Sequence, residues 1–313
     1  MITRRILING ISVVASMNIY GTLKKTNFGN ENAKIRAKIL NNDKGVSDEN
    51  TIDERENITS NAHLKERFFE VSKMRGTQSV PVVILHGWGS NRASWLPVMK
   101  ILDSQGFEVI APDLPGFGES DFPKKPWNVQ NYVDCVTALL ETLNLKKVIL
   151  LGHSFGGRIC IKFSHQYPEK VQKLILVASA GIKHPPTPKM KILSLVARFG
   201  KKIVAIPVFG LFASTARRAL YRLAGSRDYL VSGPNRETFL KVIEEDLRPH
   251  LPKILAQTLL IWGDKDLVTP LEDAKIMKSA IPDSELVIFP GIHHSIQREA
   301  PVKLAETVIS FLK

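Results

Sequence analysis

The run Val148-Ile149-Leu150-Leu151-Gly152-His153-Ser154-Phe155-Gly156-Gly157 constrains this chain more than any other. A β-branched apolar segment ends in Gly-His-Ser-Phe-Gly, and an apolar-periodic segment follows. Read as strand, sharp turn and helix, it places a serine at the tip of the turn. A residue there has a strained backbone, and small neighbours at Gly152 and Gly156 let the chain fold back without a clash. The Ser154 hydroxyl is then presented beyond the sheet. It stands at the start of a helix whose free N–H groups favour negative charge.

The same alternation of short apolar runs and helical periods continues along the chain. Strands are expected near 81–85, 108–112, 147–151, 172–178, 258–262 and 284–289. Helices are expected near 92–104, 129–143, 155–166, 270–281 and 301–312. This pattern predicts an α/β fold with a mostly parallel central sheet and helices on both faces. In such sheets ligands bind beyond the carboxyl ends of the strands.

Several further segments follow the expected strand ends. His86-Gly87-Trp88-Gly89-Ser90 comes after Val80–Leu85, and Pro112-Asp113-Leu114-Pro115-Gly116-Phe117-Gly118-Glu119-Ser120 after Val109–Ala111. Trp262-Gly263-Asp264-Lys265-Asp266-Leu267-Val268-Thr269-Pro270 ends another. Pro290-Gly291-Ile292-His293-His294 runs on to Glu299 and Pro301 after the last. With the Gly-His-Ser-Phe-Gly turn, these motifs resemble the α/β-hydrolase family, from about Phe68 to Lys313.

The resemblance implies a nucleophile, an acid and a base in the chain order Ser, Asp, His. A serine hydroxyl is a poor nucleophile near neutral pH, so it needs a base, and the base needs an orienting partner. Ser154 is the implied nucleophile. The family loop Trp-Gly-x-x-Asp-x-x-x-Pro selects Asp266 as the acid, leaving Asp264 as a turn former that bonds its own backbone. Some family members place the acid after the preceding strand, but Val177-Ala178-Ser179-Ala180-Gly181 holds no carboxylate. A His with Glu five positions on and Pro two further selects His294 as the base. His293 is then solvent-facing or in a supporting position, and Glu299 braces the loop. The resemblance also implies an oxyanion hole from the backbone N–H groups of Phe155 and Trp88. His86 and Asp113 read as groups that hold loop backbone.

In the 313-residue chain, 44% hydrophobic residues allow a large core. The expected division is a core over 64–181 and 251–313, with a helical cap inserted at 182–250 after the sixth family strand. Residues 1–63 read as an apolar leader followed by an Asn-rich disordered linker over about 22–61. Arg67–Ser72 can supply one antiparallel strand ahead of the parallel ones. Arg4-Arg5 before the apolar run from Ile6 to Met17 has the form of a weak signal peptide, and that run is too short to span a bilayer as a helix. A cytoplasmic location is expected, with membrane attachment or export through this segment as the alternative.

Cys135 and Cys160 read as buried thiols. No Cys/His spacing suits a metal, and no phosphate loop or dinucleotide fingerprint occurs, so no cofactor is expected. The net charge is +13, and residues 182–250 carry thirteen Lys and Arg against five Asp and Glu. This excess suits a solvated cap exterior, or weak attraction to an anionic membrane surface. No motif supports nucleic-acid binding. The expected function is a serine hydrolase acting on a carboxylic ester or related small acyl substrate. Two alternatives stay open: a carbon–carbon bond hydrolase of the same fold, and a small-molecule receptor that retains the triad.

Overall fold

The computed structural model describes residues 1–17, 80–185 and 233–313. The expected linker, the expected strand at Arg67–Ser72 and residues 186–232 of the expected cap lie outside the described residues. The described strands are β1 (Ile2–Ile8), β2 (Ile11–Met17), β3 (Val82–Leu85), β4 (Val109–Pro112), β5 (Val148–His153), β6 (Val171–Val177), β7 (Gln257–Gly263) and β8 (Ser284–Phe289). They form one sheet in the order β1-β2-β4-β3-β5-β6-β7-β8. From β4 across to β8 the neighbours are parallel, and β1 and β2 run antiparallel at one edge.

The central strands are apolar over most of their length because helices cover both faces. Successive side chains of a strand point to opposite faces. Val83, Leu85, Leu150, Leu260 and Trp262 face one core, together with α2 (Val129–Thr142), α3 (Phe155–Gln166) and α5 (Leu271–Ala280). Val82, Ile84, Ile149, Leu151, Leu259 and Ile261 face the other, under α1 (Leu96–Ser104) and α7 (Pro301–Leu312). Each fully buried Leu, Ile or Val contributes about 1.5–3 kcal/mol. A one-residue slip exchanges the whole set between two differently shaped cores, so the register is strongly specified. Two short helices complete the described set: α4 (Arg236–Glu244) before β7, and α6 (Ile296–Glu299) between β8 and α7.

The expected strands and helices of the core lie where the periodicity puts them, with one local difference. Residues 92–104 are a 3-10 turn, Arg92–Trp95, leading into α1. Asn91 caps the turn by accepting from the Ala93 N–H at 3.1 Å, and Pro97 sits in the first turn of α1, where a missing N–H is harmless.

At the N-terminus, where the sequence reading expects an apolar leader, residues 2–17 form a hairpin at one edge of the sheet. Asn9 and Gly10 adopt φ of 51° and 75°, and Ile8 pairs with Ile11 across them. That is the two-residue turn that Asn-Gly favours because both residues accept positive φ. β2 then pairs with β4, from Ala15 opposite Pro112 to Met17 opposite Ile110. Ile6, Val13, Ala15 and Met17 are buried in the core, so the apolar run packs within the sheet. Among the described residues, no helix is long and apolar enough to cross a membrane.

Candidate active site

Every parallel strand delivers its carboxyl end to the same rim, and the singled-out residues follow those ends. At the end of β5 the chain turns into α3 through Ser154, which holds φ 51° and ψ −112°. A non-glycine residue in this region stores strain that the surroundings must hold in place. The packing explains how. A side chain at Gly156 would collide with the Leu85 carbonyl oxygen of β3, so the first turn of α3 lies directly on the sheet. Ser154 N–H donates to the Val177 carbonyl at 3.1 Å, and its own carbonyl accepts from Ala180 N–H at 3.0 Å. The turn is thereby fastened to β6 and the chain beyond it.

The Ser154 hydroxyl lies 3.0 Å from His294 Nε2. His294 Nδ1 lies 2.8 Å from Asp266 Oδ2. One tautomer satisfies both contacts: Nδ1–H donates to the carboxylate, and bare Nε2 accepts from the serine. The Asp266 carboxylate has no exposed surface, whereas the His294 side chain is 19% exposed. Asp266 Oδ1 accepts from Val268 N–H at 2.8 Å and Thr269 N–H at 3.0 Å. The Thr269 hydroxyl lies 2.8 Å from Asp266 Oδ2 and 3.1 Å from the Ala178 carbonyl. Burial works against the Asp266 anion. The hydrogen bond and charge of His294, with the Thr269 donors, outweigh it and hold the carboxyl below its ordinary range.

The neighbouring acids and histidines sort by geometry. Asp264 accepts from the Gly291 N–H at 2.7 Å, so it ties the β7 loop to the β8 loop rather than bonding its own turn as expected. His293 is exposed and lies 3.0 Å from Glu299 Oε2. Glu299 also accepts from the backbone N–H groups of His293 at 3.0 Å and Ser295 at 3.2 Å. Burial raises the Glu299 pKa, but these donors overcome it and leave the group lowered.

The loop after β3 lies against the same serine. A Cβ built on Gly87 would stand 3.3 Å from Ser154 Cβ. This puts the 87–88 backbone beside the hydroxyl, while the Trp88 indole packs edge-on to Phe155 and Phe117 at 5.2 and 4.8 Å. His86 Nδ1–H donates to the Gly87 carbonyl at 2.9 Å, and its Nε2 accepts from Leu114 N–H at 2.9 Å. Burial pushes the His86 imidazole down, keeping it neutral. Asp113 binds the Arg92 guanidinium and accepts from the Arg92 and Glu119 N–H groups at 2.7 and 2.9 Å. Both residues hold loops to one another.

Three residues at the site escaped the sequence reading. Thr269 has a partial signal, since an Asp three residues before a Thr-Pro pair forms such local bonds. His153 fills the variable position of the Gly-x-Ser-x-Gly turn, and nothing in the spacing marks it. Phe239, on α4, stacks on Trp88 with ring centres 5.0 Å apart. It lies in the sequence far from every motif.

Comparison with known proteins agrees with this fold. The family model described as alpha/beta hydrolase fold matches residues 80–204. The AB hydrolase superfamily protein YisY of Bacillus subtilis (strain 168) is 30% identical over 253 residues, covering 74% of this chain and 91% of its own. The 2-hydroxy-6-oxononadienedioate/2-hydroxy-6-oxononatrienedioate hydrolase of Escherichia coli (strain K12) is 29% identical over 249 residues, covering 74% of this chain and 86% of its own. Among solved structures, the enol-lactonase from Burkholderia xenovorans LB400 has a TM-score of 0.61 at 20% identity, covering 99% of both chains, a likeness of fold. A strained serine turn, an eight-stranded sheet among the described residues and a relative matched over most of its length place this chain in the α/β-hydrolase superfamily.

Proposed function

We propose that this protein is a serine hydrolase acting on a carboxylic ester or related small acyl substrate, with Ser154 as nucleophile, His294 as base and Asp266 as its orienting acid. The observation that carries the proposal is the unbroken hydrogen-bond chain from Ser154 Oγ through His294 to Asp266, at 3.0 and 2.8 Å. In the reaction, Ser154 Oγ attacks the acyl carbon as its proton passes to His294 Nε2. Asp266 stabilises the imidazolium so formed. The backbone N–H groups of Phe155, at the helix start, and Trp88 receive the oxyanion, and each such donor is worth about 3 kcal/mol in the transition state. His294 then gives its proton to the departing alcohol oxygen, and the acyl group stays on Ser154. Water attacks the acyl-enzyme, His294 takes its proton, and the carboxylic acid and Ser154 hydroxyl are regenerated.

The Escherichia coli relative favours a second reading, in which the departing atom is a carbon and His294 protonates a carbanion equivalent rather than an alkoxide. A panel of p-nitrophenyl esters of graded acyl length, set against a dienone substrate, separates the two. Ester turnover is expected to dominate. Ser154→Ala is expected to lose about a thousandfold or more in kcat while keeping its folded circular-dichroism spectrum. A fluorophosphonate is expected to label the wild type rapidly and the variant not at all. A wild type that resists labelling is a receptor with a silent pocket, and undiminished turnover by the variant ends the serine mechanism.

A further inference from the structure

His153 stands directly before the nucleophile, and its side chain reaches the loop of the proposed base. Its Nε2 lies 2.9 Å from the backbone carbonyl oxygen of His294. A carbonyl can only accept, so His153 donates, and the proton is on Nε2. The ring is 4% exposed and lies 4.9 Å, centre to centre, from the His294 ring. Its other nitrogen, Nδ1, is buried and has no hydrogen-bond partner among the described residues. That nitrogen faces the loop after β3, where a Cβ on Gly87 would come within 2.7 Å of it. One imidazole thus touches both the β3 loop and the β8 loop, from the residue adjoining Ser154.

The same peptide unit is held from its other side. The carbonyl of His294 and the N–H of Ser295 belong to one planar group. His153 holds the carbonyl, and Glu299 accepts from the N–H at 3.2 Å. Rotation of this group moves the His294 Cα and with it the root of the ring. We infer that His153 is a positioning residue, whose Nε2–H fixes the His294–Ser295 peptide and so sets the His294 ring against Ser154. The inference rests on the proposed serine mechanism.

A neutral donor is required here. A second cation beside His294 would oppose the imidazolium that forms during attack. Burial first, and then His294, push the His153 imidazole down to about 3, so it stays uncharged where the base works. The unpartnered Nδ1 has the same cause: a single tautomer is used, and its bare side is packed against Gly87.

The test compares variants that keep or remove the donor. His153→Gln presents an amide N–H near the position of Nε2. His153→Phe keeps a ring without a donor, and His153→Met offers a donorless chain that adapts its shape. Phe and Met are expected to lose about 10- to 100-fold in kcat, with KM changed by less than about twofold, because a displacement near 1 Å at the reacting atoms has effects of that size. The acid limb of their kcat/KM profile is expected to move, since it reports the displaced base. Gln is expected to restore kcat to within about fivefold of the wild type, with the original acid limb. Wild-type kcat and pH profile in a folded Phe or Met variant overturn the inference, and so does a Gln variant as slow as both. Where a donorless variant does not fold, ¹⁵N NMR of histidine-labelled wild type decides, with the resonances assigned through the Gln variant. A neutral Nε2–H tautomer at His153 from pH 5 to 8 upholds the inference, and an Nδ1–H tautomer or a titrating ring overturns it. Ser154→Ala, run alongside, keeps the two questions apart. Full activity in that variant ends the serine mechanism, whereas an inactive Ser154→Ala with unaffected donorless variants ends only the role of His153.

Discussion

At Asp266, three N–H groups and one hydroxyl converge on a carboxylate with no exposed surface. Together they hold it charged, which ties the site's function to a measurable stability. The folded carboxyl titrates below its unfolded value of about 3.9. Its stabilising contribution is therefore complete above about pH 4–5 and disappears as the pH falls through the lowered value. Asp266→Asn removes that contribution and reverses one donor–acceptor contact with His294. Its deficit in urea unfolding relative to the wild type is expected to be larger at pH 7 than at pH 3, and a pH-independent deficit would show that the carboxylate is not charged by these donors. The variant should lose about 10⁴-fold in kcat, the scale at which a wrong tautomer of the base is felt. At this scale Ser154, Asp266 and His294 were legible because residue type and spacing both mark them. Thr269 and His153 were harder to see. Thr269 reaches the Ala178 carbonyl as well as the Asp266 carboxylate, and His153 a carbonyl 141 residues away, and a backbone atom leaves no trace in residue identity.

Among elements, the hairpin β1–β2 does more than close an edge. β2 gives its Val14 carbonyl to Asp113 N–H at 2.7 Å and its Ser12 carbonyl to Asp121 N–H at 2.9 Å. Ser120 Oγ accepts from Val14 N–H at 2.8 Å and donates to the Asp113 carbonyl at 2.7 Å. The loop so held carries Asp113, which anchors Arg92, and Leu114, which binds His86 at the root of the β3 loop. An N-terminal strand thus reaches the site through two hydrogen-bonded steps. Val14→Asp places a charge at a position 2% exposed, where an unpaired carboxylate is costly. Thermal unfolding is expected to drop by about 5–8 °C, since a loss of about 3–4 kcal/mol shifts a chain of this size by about 1.5–2 °C for each kcal/mol. Val14→Thr, which keeps the shape, should lose much less. Equal melting of Val14→Asp and the wild type would show that the hairpin is not built into the sheet. The remaining strands were legible because their apolar runs lie between turn residues. The hairpin was not, although Ile8-Asn9-Gly10-Ile11 is a strong turn signal. Asn9 and Gly10 interrupt one apolar run, and a run of that length with basic residues ahead of it fits two physical descriptions, a targeting segment or two buried strands. In the structure the run pairs with β4, and that contact is not local.

Across the whole molecule, the chain on either side of residues 186–232 is fastened to the core at two kinds of place. One lies along α3. Glu245 offers its carbonyl to Arg158 Nη1 at 2.8 Å and its carboxylate to Lys162 at 2.5 Å, and Leu247 N–H donates to the Gly181 carbonyl at 2.9 Å. The other lies at the rim. Asn235 donates to the Gly116 carbonyl at 2.6 Å, Thr238 Oγ1 accepts from Trp127 N–H at 3.1 Å, and the Phe239 ring packs on Trp88. The two sets should separate stability from turnover. Lys162→Met removes a partly buried ion pair on the flank of α3, with an expected loss of about 1–2 kcal/mol, between the exposed and buried limits, and no change in kcat. Phe239→Ala removes the ring that backs the side chain of Trp88, the residue whose backbone N–H is a proposed oxyanion donor. An aromatic pair of this kind is worth about 0.5–1.5 kcal/mol beyond its buried area. Its main effect should fall on the reaction, with kcat/KM lowered about tenfold or more as the β3 loop loosens beside Ser154. Phe239→Leu, which refills part of the space, should recover most of it. Denaturant melts and ester kinetics on the same preparations read both quantities. Parallel losses of stability and turnover in the two variants would mean that the two sets of contacts act as one, and that Trp88 is set by the sheet and its own loop without help from α4.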